Sequence, residues 1–375
     1  MTQVQNAQYA VAVVSRLFEE REIAHDTFAP ALRVPDILRR VAQARDELIE
    51  RFGPLQSVVP SAKGAMLLFR AASIPARISF DTDGRVGGLY FETPRHEPLD
   101  RSAALSLFNS KPGRKAIYVQ RDGSEWLSYN QDVPLAVGSA FKLLVYEEVL
   151  RRVRNGSLAW TDIAHITQCS ASFGGIFDRW PIETGLTLSS LCNAMIAASD
   201  NTSTDVLIDL LGRSTLERLS PRNRPFLKTR EMFLLKFGLG RHLARRFLDG
   251  QIRSKRRILR AMTDWPVHEQ PTGFDPAPGI EWFFTARELV QLIERVHTGQ
   301  AFQVSGGPFD GEYETVSFKA GREPGVINYT LRAEHSGVVV TCSATWNNDG
   351  GVDEDDFAEI VKGTVAGCFG YRLGL

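Results

Sequence analysis

Long apolar runs are missing from this sequence. No stretch approaches the roughly 18 apolar residues that a spanning helix needs. The N-terminus offers only Tyr9 to Val14 as an apolar run, short of the roughly 7–15-residue core of an export signal. The chain is therefore expected to be cytoplasmic, or periplasmic or secreted if a leader has been removed. An excess of one charge is missing too. Forty-four basic residues face forty-four acidic ones, which argues against nucleic acid as the main partner, because phosphate binding needs a positive surplus. Cysteine is scarce: Cys169, Cys192, Cys342 and Cys368, with no C-x-x-C among them. That excludes zinc-ribbon and thioredoxin-like readings and leaves four small buried hydrophobes. The histidines (His25, His96, His165, His242, His268, His297 and His335) are scattered, and no pair has metal-ligand spacing. No metal and no cofactor is expected. No repeat of solenoid period is present.

What is present is an ordinary folded composition, 43% hydrophobic and 23% charged, in a chain whose 375 residues allow two or three domains of roughly 100–200 residues each. Ala7 to Glu20 has helical periodicity through Val11, Val14, Leu17 and Phe18. A second helix is expected from Pro35 to Phe52, with proline in the first turn, where its missing N–H costs nothing. Gly53-Pro54 stops it. Strand-like runs follow at Leu55–Val59, Ala65–Phe69, Ala76–Phe80 and Gly87–Phe91. The last two flank Asp81-Thr82-Asp83-Gly84-Arg85, a hairpin signal. Two helices followed by a meander predict a curved sheet wrapped on helices.

Thr93 to Arg114, with Pro94, Pro98, Asn109, Pro112 and Gly113, reads as a linker. The expected organisation is a domain over 1–95, a linker over 96–114 and a second domain over 115–375. In the second domain, strands are expected at Ala116–Arg121 and Glu125–Tyr129, a helix from Ser139 to Val153 and a helical middle. The C-terminal part reads as strands at Glu314–Lys319, Tyr329–Ala333 and Val338–Trp346, then a helix from Glu354 to Cys368. From Arg213 to Arg260 fifteen Lys/Arg stand against Glu217, Glu231 and Asp249. This reads either as a solvated face balanced by acidic surface elsewhere or as a basic wall near a site for an anionic substrate.

Three short motifs carry chemistry. Of nine lysines only Lys142 has a serine three residues earlier, Ser139. On a helix i and i+3 share a face, so the amine is placed to take the hydroxyl proton if its surroundings lower its pKa. Sixty residues on comes Ser199-Asp200-Asn201. Its hydroxyl can relay a proton and its amide can hold a substrate carbonyl, although a Ser-Asp-Asn run also reads as a helix N-cap. Further on comes Phe318-Lys319-Ala320-Gly321 at a strand end. It supplies a fixed positive charge beside small residues against which a substrate can lie.

S-x-x-K, S-D-N and a K-T-G-like triplet, in that order, resemble the signature of class A β-lactamases and penicillin-binding proteins. The flanks agree, since Gly138–Leu150 looks like the nucleophile helix and Leu186–Thr202 like the helix leading into the second motif. The resemblance covers roughly residues 110–375. It implies an antiparallel sheet flanked by helices, with a helical subdomain. It further implies Ser139 as acyl-forming nucleophile, Lys142 as its base and Ser199 as proton shuttle. Asn201 would hold the substrate amide, and Lys319, with Ala320 and Gly321, would face the substrate carboxylate. The backbone N–H groups of Ser139 and Arg322 would form the oxyanion hole, and Phe173 would supply the aromatic at the cleft mouth, with Trp282 and Phe318 as further lining or as core.

Four departures qualify the resemblance. Ala320 replaces the usual Thr or Ser. No E-x-x-L-N is present, and Glu231 is the only acid in the expected region, so it stands as a poorly matching candidate for the deacylating base. The gap between second and third motifs is long. Cys192 sits where many class A enzymes carry half of a disulfide, but the partner position is Tyr146, so that bridge cannot form.

The N-terminal helices and hairpin, with Phe28-Ala29-Pro30 and Asp81-Thr82-Asp83-Gly84-Arg85, resemble a steroid-isomerase-like (cystatin-like) domain. Such a domain precedes a class A-like domain in a small group of two-domain serine hydrolases, including one encoded in clavulanic acid gene clusters. Asp81 and Asp83 are ordinary turn residues, so this domain is expected to be non-catalytic. The overall expectation is a two-domain α+β serine hydrolase acting on a small-molecule β-lactam through an acyl-enzyme. The alternatives are an esterase or D,D-peptidase-like acyl hydrolase, or a weakly catalytic β-lactam-binding protein. No obligate protein partner is evident.

Overall fold

The computed structural model describes residues 3–20, 24–33, 36–61, 64–69, 72–91, 95–96, 98–266, 279–310 and 312–370. The chain divides into two compact units, one through Leu99 and one from Asp100 to Phe369.

The first unit opens with two helices, α1 (Gln3–Glu19) and α2 (Ile37–Phe52), and continues as strands β1 (Leu55–Ser61), β2 (Gly64–Phe69), β3 (Ala72–Phe80), β4 (Val86–Phe91) and β5 (Arg95–His96). These strands pair antiparallel in the order β1-β2-β3-β4, with β5 beside β3. The sequence reading of two helices and a meander matches these elements. The helix expected to begin at Pro35 starts at Ile37, and Pro35 itself lies outside the described residues. Val14, Phe52, Leu67, Phe69 and Ile74 pack into one core. Leu17, Phe28, Val41 and Val86 form another. Helix and sheet thereby bury their apolar faces on each other, which neither could do alone. Asp81 closes the β3–β4 turn, accepting from the backbone N–H of Asp83 (2.9 Å) and Arg85 (2.8 Å).

Within the stretch expected as linker, Arg101–Ser110 is helix α3, while Thr93 and Pro94 lie outside the described residues. Asp100 caps α3 by accepting from Ala103 N at 2.8 Å. Ala104 and Phe108, four apart on one face, are buried. Phe108 packs on Phe357.

Strands β6 (Arg114–Arg121) and β7 (Ser124–Tyr129) come next, then the short β8 (Leu135–Ala136), a 3₁₀ turn at Gly138–Phe141, and α4 (Lys142–Arg154). The helical middle comprises β9 (Ile163–His165), β10 (Gly185–Thr187), α5 (Leu188–Ala197), α6 (Asn201–Leu211), α7 (Arg213–Leu219), α8 (Thr229–Lys236), α9 (Ala244–Asp249) and α10 (Ile252–Ala261). The chain ends with β11 (Phe283–Phe284), α11 (Ala286–Val296), β12 (Thr315–Glu323), β13 (Val326–His335), β14 (Val338–Asn347) and α12 (Glu354–Phe369).

The large sheet is antiparallel in the order β12-β13-β14-β6-β7, so β12 is an edge strand. Helix α4 is buried on nearly every side through Leu143, Leu144, Val145, Tyr146, Val149 and Leu150. Its C-terminal half carries Glu147, Glu148, Arg151, Arg152 and Arg154, while its apolar residues belong to the core of the helical layer. All four cysteines are free, with Cys192 and Tyr146 both buried.

Most of the basic stretch is a solvated face, with nine of its fifteen Lys/Arg exposed; Lys228, Arg230 and Lys236 are buried. Lys228 binds Asp209 at 2.6 Å and Cys169 O at 2.9 Å. Arg230 donates to the carbonyls of Thr263 (2.7 Å) and Trp265 (2.6 Å). Arg256 pairs with Glu217. Among the described residues no helix is long and apolar enough to cross a membrane.

Candidate functional site

The outer edge of β12 lies against the turn that carries Ser139. Two glycines make the approach possible. A Cβ on Gly321 would stand 1.8 Å from Val137 O and 2.9 Å from Ala140 N. A Cβ on Gly138 would stand 3.0 Å from Arg322 N, and Gly138 also has φ +48°, a conformation that disfavours side chains. The backbone around Ser139 and Arg322 is thus brought together without side chains in between. Behind the turn, Phe141 stacks on Trp282 at 3.8 Å and Trp282 donates to Leu227 O. Trp282 is core and not cleft wall.

Beside this edge is a cleft of about 480 Å³ lined by Ser139, Ser199, Asn201, Lys319, Ala320 and Arg322, among others. The structure brings together here nearly all the residues singled out from the sequence, although the three motifs lie 60 and 120 residues apart.

Ser199 follows the last turn of α5 in a left-handed conformation, φ 56°. That conformation is strained for a residue with a side chain. It aims the Ser199 carbonyl at Lys142, whose Nζ donates to that oxygen at 2.6 Å, to Asn201 Oδ1 at 2.7 Å and to Ser199 Oγ at 3.2 Å. From the other side Lys319 Nζ donates to the same Oγ at 3.0 Å and to Ala320 O at 2.9 Å. No hydrogen bond joins Ser139 to Lys142 among the described residues. Ser139 starts the turn into α4, where unpaired N–H groups give a positive end.

Asp200 holds the loop in place. Fully buried, it caps α6 by accepting from Ser203 N at 2.6 Å and ties down a neighbouring loop by accepting from Phe177 N at 2.8 Å. A Cβ on Gly175 would stand 2.2 Å from the Asp200 carboxylate. The N-cap reading and the cleft reading of Ser-Asp-Asn therefore both hold: Asp200 caps the helix while its neighbours face the cleft. Asn201 Nδ2 donates to Phe173 O at 2.6 Å.

Electrostatics follow burial. Lys142 is wholly buried, and desolvation pulls its amine down to about 7, against the opposing pull of Asp200, Asp205 and Glu323. Burial lowers Lys319 well below its ordinary value, with Lys142 and Arg322 adding repulsion. Two buried lysines thus meet at one hydroxyl, each with its charged form disfavoured by burial.

Two residues stand elsewhere than expected. Phe173 does not line the cleft. Its ring packs edge-on against Phe233 at 5.8 Å, and the aromatic lining comes from Phe233, Phe237 and Phe318, the last as the sequence allowed. Glu231 does not face the cleft either. One oxygen accepts from Lys228 N at 2.8 Å at the start of α8, and the other pairs with Arg213 at 2.5 Å. Glu231 is held as a helix cap and ion pair, so it is not in place to activate a water at Ser139. Of residues 213–260 only Phe233 and Phe237 line the cleft, so the basic stretch does not form its wall.

The sequence reading missed Glu323, which lines the cleft two positions beyond Gly321 on β12. It also missed the buried pair of Lys236 and Glu281. Burial, and then the Glu281 carboxylate, push Glu323 up to about 8 against Lys236 and Lys142.

An edge strand docked on a serine-bearing helix start, with two lysines and a Ser-Asp-Asn turn beside them, frames the cleft. The chain belongs to the β-lactamase enzyme family, whose model matches residues 101–305, more than half of it. It is 34% identical over 114 residues to β-lactamase 1 of Streptomyces cacaoi. The match takes in 28% of this chain and 34% of that protein, so the chain spans about a third of the curated relative's length. Among solved structures it is similar to a β-lactamase from Sphaerobacter thermophilus, with TM-score 0.52 and 17% identity over 73% of this chain and 98% of that one. A β-lactamase from Chitinophaga pinensis follows at TM-score 0.49 and 14% identity, over 72% and 99% of the two chains. The fold of the second unit, an antiparallel sheet flanked by helices, resembles that of class A β-lactamases.

Proposed function

We propose that the protein is a serine hydrolase that opens β-lactams through an acyl-enzyme on Ser139. The observation that carries this reading is the position of Ser199 Oγ between Lys142 Nζ at 3.2 Å and Lys319 Nζ at 3.0 Å, in the cleft that Ser139 lines. Lys142, neutral above about pH 7, takes the proton of Ser139 Oγ as that oxygen attacks the lactam carbonyl. The carbonyl oxygen becomes an oxyanion facing the N–H groups of Ser139 and Arg322. The C–N bond breaks, and the proton passes from Lys142 through Ser199 Oγ to the departing nitrogen. Lys319, with Ala320 and Gly321, meets the substrate carboxylate, and Asn201 holds the substrate amide.

A second reading rests on Ala320, which lines the cleft where a hydroxyl would help bind a carboxylate. Its loss weakens the preference for a carboxylate-bearing lactam and favours simple esters or D-alanyl peptides through the same Ser139 chemistry. If the acyl-enzyme is long-lived, the protein acts as a β-lactam binder more than as a catalyst. The N-terminal unit is proposed to be steroid-isomerase-like and non-catalytic. Engagement of Asp81 in its own turn supports this.

The test is intact-protein mass spectrometry after mixing with penicillins, cephalosporins and a p-nitrophenyl ester, beside Ser139→Ala. Adduct or turnover on the native protein alone supports the reading, and its absence with every substrate overturns it.

A further inference from the structure

We propose that Glu323, at the end of β12, is the general base that takes a proton from the water attacking the Ser139 acyl ester. The inference rests on the acyl-enzyme reading above and adds the group that releases the product. Along a strand, alternate residues share a face. Lys319, Gly321 and Glu323 lie on one face of β12. Gly321 meets the Val137–Ala140 turn on that face, and Lys319 reaches Ser199 from it. Glu323 is next in that row and lines the same cleft as Ser139.

Its surroundings are those of a base rather than of a structural ion pair. Glu281, from the segment before β11, and Lys236, at the end of α8, are buried and paired with each other. The second oxygen of Glu281 is buried without a hydrogen-bond partner. Lys236 is thereby committed to Glu281, and no described side chain donates a hydrogen bond to Glu323. The groups acting on Glu323 across space are Glu281, Lys236 and, from α4, Lys142. Lys319 and Arg322 stand on its own strand. A carboxylate near another carboxylate in a poorly solvated place holds protons more tightly than one in water. It therefore accepts a proton readily near neutral pH.

The step balances. Water oxygen bonds to the acyl carbon and its proton goes to the Glu323 carboxylate. The resulting alkoxide collapses and the bond from carbon to Ser139 Oγ breaks. Oγ takes up one proton and Glu323 releases the one it accepted, so the proton count is unchanged. The acid product leaves, and Glu323 returns to its starting state.

The test follows adduct lifetime on the full chain by intact mass spectrometry with a penicillin and a p-nitrophenyl ester. Wild type, Glu323→Gln, Glu323→Asp and Ser139→Ala are compared. The expectation is that Glu323→Gln still acquires an adduct but loses it at least ~100-fold more slowly. Glu323→Asp should restore part of the rate. Wild-type release should rise with pH about a midpoint of about 8, and Glu281→Gln should lower that midpoint by removing the neighbouring negative charge. A purely packing role for Glu323 would leave the pH profile unmoved. Equal adduct lifetimes in wild type and Glu323→Gln overturn the proposal while leaving Ser139 acylation intact. A wild-type adduct that never decays, or a pH profile that is flat or unmoved by Glu281→Gln, overturns it too, even if Glu323→Gln fails to fold. Absence of any adduct or turnover on wild type removes the acyl-enzyme reading itself, and Glu323 with it.

Discussion

Ser199 Oγ stands 3.2 Å from Lys142 Nζ and 3.0 Å from Lys319 Nζ, so a single hydroxyl is shared by two buried lysines. Each lysine's charge raises the free energy of the other's, and desolvation acts on both in the same direction. A proton arriving at either amine has a short path to the other through Oγ.

Acylation should follow the protonation of Lys142. Its amine is pulled down to about 7, so the protonated, inactive form dominates below that pH and the free base above it. The rate of adduct formation at Ser139 should rise as pH passes about 7 and then level off. Lys142→Ala should slow it by about 10²–10⁴-fold. Time-resolved intact mass spectrometry across pH checks both.

Ser199 separates stability from activity. Its left-handed φ of 56° costs about 1 kcal/mol in any residue with a Cβ. Ser199→Gly should therefore be more stable than Ser199→Ala by about 1 kcal/mol, while both lose acylation. Urea unfolding of the two variants measures the difference.

Gly321 leaves no room for a methyl group, since its Cβ would fall 1.8 Å from Val137 O. Gly321→Ala must push β12 off the Ser139 turn. Unfolding free energy should drop by about 1–3 kcal/mol, and acylation should fall by about 10²–10³ as one oxyanion donor moves away. Thermal melts and adduct kinetics report the two effects separately.

Glu231→Ala should destabilise without touching the chemistry. It removes the acceptor for Lys228 N and the partner of Arg213, which costs roughly 2 kcal/mol. Adduct lifetime should match wild type, the opposite of the result expected for Glu323→Gln.

Much of the site was legible because its members sit at fixed local spacings. Ser139 and Lys142 share a helix face, Ser199 and Asn201 flank one cap, and Lys319 and Gly321 alternate along a strand. Glu323 continued that alternation, but what makes it a candidate base is Glu281 and Lys236, which come from distant segments and meet only in the fold. Phe233 and Phe237 were visible as an i, i+4 pair, yet nothing local told a cleft wall from core. Phe173 was misplaced because its direction depends on the neighbouring Gly174 and Gly175, at φ 82° and 132°. Helix α3 was hidden by Pro98, Pro112 and Gly113 at its borders. The cap at Asp100 and the apolar pair Ala104 and Phe108 were the signals that would have found it.

Gly138 and Gly321 let a helix start and an edge strand press together, and the cleft takes Ser139 from one and Arg322 from the other. Neither layer owns the pocket. A partly open molecule, with sheet and helices each intact but undocked, would keep its secondary structure and lose the pocket altogether. Such a protein works as its own integrity gauge: its power to be acylated should vanish together with its tertiary packing, ahead of any loss of helix.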